Sequence, residues 1–279
     1  MNNEVGNFSK KRIQEEPVFT SDINIIASIP DFNMINEVIY LLTQGKEKEY
    51  IEKQIFEKNI FGIRTLKSRK RFLAAIFANF IKFKTEEHKK VFFSLFSQQS
   101  FLQLKKIALY IQFAINNRLF YDLTSNVTIK LYKEGRLLVP KEEYISYLYD
   151  LRDKNQDLQK WSNSTIDIIA SKYLTLLKKL GFLKGSIKKE FCNVDIDNPT
   201  IVYIVYLLKS LNYKDPDFLK SPFINILPIS KENLFLRIKK LSLIDYFKVY
   251  TLGDDLKIEL KYNYEDIVNV INQNYRSKI

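Results

Sequence analysis

Residues 161–185, WSNSTIDIIASKYLTLLKKLGFLKG, read as one helix with both ends marked and a hairpin behind it. Ser164 is a residue type that caps helix N-termini, and Ile166, Ile169, Ala170, Tyr173, Leu174, Leu177 and Leu180 recur at helical spacing on one face. Gly181 supplies the left-handed residue that ends such a helix, and residues 182–184 restart as a short strand that Gly185 and Ser186 turn into a wing. Opposite the apolar face stand Ile168, Ser171, Lys172, Thr175, Lys178 and Lys179. These are short hydroxyls, lysines and one branched apolar side chain, types suited to phosphate and base-edge contacts. No acidic residue lies between Asp167 and Glu190. An ordinary amphipathic helix with a solvated lysine face fits the same spacing, so the order of cap, helix, stop and wing carries the nucleic-acid reading.

Composition narrows the classes. A chain of 279 residues with 46% hydrophobic and 14% aromatic residues can bury a sizeable core. The excess of 44 basic over 32 acidic residues gives a net charge of +12, which favours a polyanionic partner. Of the basic residues 35 are Lys and 9 are Arg, a usage that an AT-rich genome produces without selection for charge, so clustering says more than the total. One His (His88) and one Cys (Cys192) cannot form a Cys/His zinc site, a Cys-His dyad or an internal disulfide. His88, within TEEHKK, reads as a surface residue of a first helical turn, and Cys192 as a buried or half-buried thiol. Gly62, Gly135, Gly181 and Gly253 stand alone at element boundaries, so no phosphate-cradling loop is present. The expectation is a non-enzymatic protein with no catalytic residues, cofactor or metal. The longest apolar run, residues 201–208, is far short of the ~20 needed to span a bilayer. A cytoplasmic protein without a membrane partner follows.

Outward from the opening segment, the chain divides into a flexible tail (1–20), a helical bundle domain (21–157) and a winged-helix-like domain (158–279), with the junction in the polar run 152–160. The predicted fold is mainly α. It comprises an N-terminal helical bundle followed by a winged-helix-like α+β domain, with strands confined to small β-hairpin wings near 182–194 and 246–262. Structure begins near Ser21, and helices open at Asp31, Thr65, Thr85 and Ser100, span 46–58 and 125–134, and continue from Pro140. Pro199 starts a helix, TIVYIVYLLKSL, that must be buried on most sides. Asp215 to Pro228 form a proline-punctuated connector. Ser230 caps a last helix, followed by a hairpin turned at Gly253 and Asp254. Along its return strand Leu256, Ile258, Leu260 and Tyr262 face in, and Lys257, Glu259 and Lys261 face out.

A second basic cluster spans 58–85, with eight basic residues and no acidic one. On a helix from Thr65, the face opposite Phe72, Leu73, Ile76, Phe77 and Phe80 carries Lys67, Arg71, Ala74, Ala75, Ala78 and Lys82, with Lys70 beside it. Small residues there admit either a phosphate backbone or a neighbouring helix. Asp245, Glu259 and Lys261 have the residue types of a metal-dependent nuclease core, but the hairpin turn accounts for the neighbouring Asp254 and Asp255 and outward alternation for Glu259 and Lys261.

Four segments in order carry a family resemblance: FTSDINIIASIP, NIFGIRTLKSRKRFLAAIFANF, KWSNSTIDIIASKYLTLLKKLGFLKG and LGDDLKIELKY. Together they resemble the BrxA family of BREX phage-defence systems. The resemblance implies an accessory factor, mostly helical with winged-helix character, that binds double-stranded DNA beside other BREX subunits. Members have also been described as inner-membrane proteins, which this sequence does not support. The stretch from a helix ending near Asp153 to Ser164 is longer than the turn of a standard helix-turn-helix, which departs from that geometry. The expected DNA-facing residues are Ser164, Thr165, Ser171, Lys172 and Thr175 at the groove and Lys184, Lys188 and Lys189 at phosphates. Lys67, Lys70 and Arg71 form the alternative face. Competing readings are a protein–protein scaffold of the BREX complex and an RNA-binding bundle.

Overall fold

The structure is a computed structural model that describes residues 29–99, 101–212, 217–253 and 255–276. The 1–20 tail, the opening near Ser21, and the features placed at Ser100, Asp215 and Asp254 lie outside the described residues. The chain runs through α1 (Phe32–Thr43), α2 (Lys48–Glu52), which continues as a π-helical turn (Lys53–Glu57), α3 (Leu66–Phe80), α4 (Glu86–Phe96) and α5 (Leu102–Asn116). Then come α6 (Arg118–Leu123), a second π-helical turn (Thr124–Thr128), α7 (Ile129–Lys133), α8 (Lys141–Lys154), a 3-10 turn (Gln156–Leu158) and α9 (Asn163–Lys179). The remainder is β1 (Leu183–Lys184), β2 (Glu190–Phe191), α10 (Asn198–Ser210), two 3-10 turns (Phe218–Lys220 and Pro222–Ile226), α11 (Lys231–Ser242), β3 (Phe247–Leu252), β4 (Asp255–Leu260) and α12 (Ile267–Arg276). The fold is mainly α with two small antiparallel hairpins, as expected.

Side-chain capping explains several of the helix starts. The hydroxyl of Thr65 accepts from the Ser68 amide at 3.1 Å, Thr85 from His88 at 2.9 Å and Ser230 from Asn233 at 3.1 Å. Each satisfies one of the amides a helix leaves without an internal partner. Three boundaries differ from the sequence reading. The N-cap of α9 is Ser162, which accepts from the Thr165 amide at 3.2 Å, because Ser162 sits three residues ahead of that amide and Ser164 lies inside the first turn. The expected 125–134 helix instead starts at Arg118, capped by Asn117, and widens into the π-helical turn at Thr124. The segment before α9 contains the Gln156–Leu158 3-10 turn, so the long connection is itself wound.

The core is continuous from Ile29 to Ile271. At its centre lie α5, where residues 107–115 are all buried, and α10, where residues 200–208 are all buried. A helix enclosed on every side has no solvated face to carry charge, which is why both stretches are so apolar. The apolar contacts cross the 152–160 stretch: Leu158 and Trp161 are buried, and Tyr110 of α5 stacks on Phe182 with ring centroids 4.0 Å apart.

His88, expected at the surface, is fully buried. Its Nε2 lies 2.7 Å from Gln112 Oε1 and its Nδ1 accepts from the Lys84 amide, so the ring is neutral with the proton on Nε2. Gln112 in turn donates to the carbonyls of Phe80 and Lys82. Burial lowers the His88 pKa to about 4, against a smaller opposing effect of the Gln112 hydrogen bond. The imidazole is thus a structural tie between α4, α5 and the end of α3. At the far hairpin, Leu256 and Ile258 face in as expected, but Tyr262 is 36% exposed because the strand ends at Leu260.

Candidate nucleic-acid interface

The wing is more extensive than two strands. β1 pairs with β2 through Leu183 with Phe191 and Lys184 with Glu190. On the other side of β2, Leu138 forms an antiparallel bridge with Glu190, the Val139 amide donates to the Lys189 carbonyl at 2.9 Å, and the Phe191 amide donates to the Leu137 carbonyl at 3.0 Å. The order along the chain is therefore strand segment, α8, α9, β1, turn, β2, with β2 in the middle. The apolar triplet Leu137, Leu138 and Val139 is too short to mark a strand by itself, and the pairing reveals it.

Within this unit α9 is fixed by buried hydroxyls. Tyr173 Oη lies 2.8 Å from Thr124 Oγ1 and 2.6 Å from Thr128 Oγ1, and Thr128 Oγ1 lies 3.0 Å from Tyr144 Oη. Thr124 spends its one proton on the Phe120 carbonyl at 2.6 Å. Proton counting then orients the whole chain: Tyr144 donates to Thr128, Thr128 to Tyr173, Tyr173 to Thr124, and Thr124 to the carbonyl. Burial raises the pKa of Tyr173 well above the ordinary phenol value, so all four groups stay neutral. α8 adds a surface tie, Lys141 to Asp167 at 2.6 Å, which occupies the acid that opens the exposed arc of α9.

That arc carries the expected residues, with altered roles. Ser164, Lys172, Thr175 and Lys178 are exposed and Ser171 and Thr165 half-exposed. Ser171 donates to the Asp167 carbonyl at 2.9 Å and Thr175 to the Ser171 carbonyl at 2.8 Å, so these hydroxyls offer a ligand acceptor lone pairs first. Ser164 and Thr165 lie 2.8 and 3.0 Å from the Ser162 hydroxyl in a cluster at the helix start. Among the lysines, Lys179 pairs with Asp31 at 3.4 Å and donates to the Ile29 carbonyl, and Lys184 pairs with Glu190 at 3.5 Å. Lys189 donates to the carbonyls of Gly185 and Ser186. Lys172, Lys178 and Lys188 have no ion-pair partner among the described residues.

The second basic face is exposed at Lys67, Lys70 and Arg71, with Lys70 5.9 Å from the Phe56 ring and Arg71 5.8 Å from the Phe72 ring. Ala75, expected on the open stripe, is buried, because α3 packs on α5 through that side. Ala74 remains open to a depression of about 370 Å³ beside Phe56 and Lys70. α3 packs on α5 and the first π-helical turn, whereas α9 packs on α8 and β1, so the two basic faces belong to different packing units.

The two acids of the nuclease pattern are taken up by a cation and a hydroxyl. Asp245 pairs with Lys261, and Glu259 accepts from the Tyr250 hydroxyl at 3.0 Å. No group of three or more His, Cys, Asp or Glu side chains is placed to hold a metal among the described residues. No helix among them is long and apolar enough to cross a membrane. A feature not read from sequence is an open groove of about 940 Å³ beside the second hairpin, with Lys90, Lys209, Lys257, Tyr250 and Tyr262 in its walls. Burial, then the Lys257 charge, lowers the pKa of Lys209 there.

Comparison with known proteins gives likenesses of two kinds. The BrxA family model matches residues 32–205, from α1 into α10. Of the four segments behind the family resemblance, the second and third lie inside that range, and the first and fourth outside it. A crystal structure of an uncharacterized protein from Magnetospirillum magneticum is similar with a TM-score of 0.51 and 17% sequence identity, covering 70% of this chain and 98% of that one. At that identity the likeness concerns the fold alone. No curated protein matches the chain.

Proposed function

The chain belongs to the BrxA family of BREX phage-defence components, and on that footing we propose that it binds duplex DNA through α9 and its wing, without chemistry of its own. The observation that carries the proposal is the order of the unit: strand segment 137–139, α8, α9, β1, turn, β2, with β2 between the other two strands. That order supports a winged-helix reading, in which the second helix meets the major groove and the turn between the last strands meets the backbone or minor groove. The cations supplied to the duplex are Lys172 and Lys178 on the helix and Lys188 on the wing. Lys184 contributes less because Glu190 shares its charge, and Lys189 contributes through the shape of the turn. Ser164, Ser171 and Thr175 accept from base-edge amino groups. The 3-10 turn ahead of α9 lengthens the helix-to-helix connection without moving α9 off α8.

Fluorescence anisotropy of a labelled duplex at several salt concentrations tests the proposal. Replacing Lys172, Lys178 and Lys188 by Ala removes three phosphate contacts, so the slope of log K against log salt falls by about 2.7. Binding weakens across all sequences alike. If this variant binds like wild type while Lys67→Ala with Arg71→Ala loses binding, the interface lies on α3 instead.

A second reading has its own observation. Leu236 and Leu243, seven positions apart along α11 and its C-cap, are 58% and 86% exposed. An apolar line of that kind suits another BREX subunit. Capture of such a subunit that survives nuclease digestion and is lost in Leu236→Ser with Leu243→Ser favours a scaffold role.

A further inference from the structure

Ile187 stands at the tip of the β1–β2 turn with 96% of its surface exposed. Single exposed apolar residues are common, so exposure alone assigns it nothing. The loop that holds it singles it out. Gly185 has φ +87°, and a Cβ there would lie 2.1 Å from the Lys188 carbonyl oxygen, so the turn is folded tightly on itself. The Lys189 ammonium donates to the Gly185 and Ser186 carbonyls and closes the turn from inside. At its base, the Lys189 carbonyl is held by the Val139 amide of the third strand segment. A side chain presented by so braced a loop loses little freedom on binding.

Its surroundings specify the ligand. Lys188 and Lys184, the latter sharing its charge with Glu190, are exposed on either side, and no acidic residue lies between 168 and 189 along the chain. An apolar point flanked by cations fits a partner that is anionic along its edges and apolar between them. A DNA groove has that profile, with phosphates on its rims and stacked base pairs within.

We propose that Ile187 is a wedge that enters the minor groove when α9 faces the duplex and intrudes between two stacked base pairs, opening that step and bending the DNA. Lys188, and Lys184 in part, hold the phosphates beside the opened step. The proposal rests on the duplex-binding reading of α9 and adds the means by which that site selects DNA. Pyrimidine–purine steps such as TA open most easily, so the wedge favours them without any hydrogen bond to a base.

The test uses the full chain and duplexes carrying 2-aminopurine beside a central TA step, with donor and acceptor dyes at the ends. Wild type raises the 2-aminopurine fluorescence several-fold and shortens the end-to-end distance. Ile187→Ala binds about tenfold more weakly with an unchanged salt slope and leaves the fluorescence flat, and Ile187→Phe restores it. Ile187 is 96% exposed, so neither variant threatens the fold. Wild type that binds the duplex with no fluorescence rise, or Ile187→Ala that raises it equally, overturns the wedge and leaves the duplex-binding reading standing. Absence of duplex binding by wild type overturns both. Binding to phosphatidylserine vesicles that Ile187→Ala abolishes, with 2-aminopurine silent, assigns the tip to a lipid surface and overturns the wedge as well.

Discussion

Tyr173→Phe and Tyr203→Phe remove the same atom from two fully buried tyrosines, and the structure assigns them different consequences. Tyr173 Oη stands in the middle of a chain of donors, 2.8 Å from Thr124 and 2.6 Å from Thr128. Without it, the Thr128 proton has only the Leu123 carbonyl at 3.4 Å to turn to, and Thr124 loses its donor. Leaving buried polar groups so served costs about 1–3 kcal/mol. The benzyl ring still fills the site, so no cavity contributes. Tyr203 Oη has no hydrogen-bond partner among the described residues, so its deletion removes an already unsatisfied group and is neutral or stabilising. At roughly 2–4 °C per kcal/mol for a chain of this size, a loss near 2 kcal/mol lowers the Tm by about 4–8 °C. Thermal unfolding followed by circular dichroism, with urea midpoints as a second measure, compares the two variants with wild type. Equal destabilisation by both, or none by Tyr173→Phe, refutes the donor chain as what holds α9 to the Thr124–Thr128 turn.

Two further outcomes follow from named geometry. His88 has a folded pKa of about 4, below its ordinary 6.5, so the stability held by the neutral ring is present above pH 6.5 and lost as pH falls to 4. At 1.36 kcal/mol per pH unit the loss reaches about 3 kcal/mol, and the imidazole proton signal, from the one His in the chain, should not titrate in the folded protein above pH 5; a midpoint near 6.5 contradicts the buried assignment. Gly185→Ala places a methyl against the Lys188 carbonyl and should weaken duplex binding, while Gly135→Ala, also at positive φ but with nothing within 4 Å, should leave binding intact. Equal binding by the two glycine variants would falsify the braced turn.

What can be read from sequence is whatever local chemistry decides. The apolar spacing of Ile166, Ile169, Tyr173 and Leu177, the stop at Gly181 and the hairpins on either side of Gly185 and Gly253 depend on neighbours a few residues away, and they are legible. Ser164 reads as the cap in place of Ser162 because Ser162, Ser164 and Thr165 are chemically equivalent candidates, and only the amide each hydroxyl reaches distinguishes them. His88 is misread for a different reason. Its flanking Glu86, Glu87 and Lys89 are polar, yet the ring reaches Gln112, a partner 24 residues on that no periodicity announces. The π-helical turn at Thr124 is equally silent in sequence, since it seats hydroxyls against Tyr144 and Tyr173, which lie far along the chain.

The candidate site shows the same division, with a consequence for measurement. The acid-free interval from Ile168 to Lys189 holds six lysines, and read along the chain all six count toward a phosphate-binding face. In space the acids return from elsewhere: Asp31 to Lys179 and Glu190 to Lys184, while backbone carbonyls take up Lys189. Exposed pairs of this kind are worth little to stability, but they occupy the ammonium in the unbound protein and must be exchanged when a phosphate arrives. Six independent contacts would give this interval a salt slope of about 5.4, and the three unpartnered ones, Lys172, Lys178 and Lys188, about 2.7. The slope of the wild-type protein therefore separates the linear reading from the folded one before any substitution is made. A value well above about 2.7 means either that the pairs open on binding or that a second basic face, such as Lys67, Lys70 and Arg71 on α3, contacts the same duplex. Measuring Lys184→Ala and Lys67→Ala singly then decides between those two, since each can lower the slope by about 0.9 only if its own ammonium meets a phosphate.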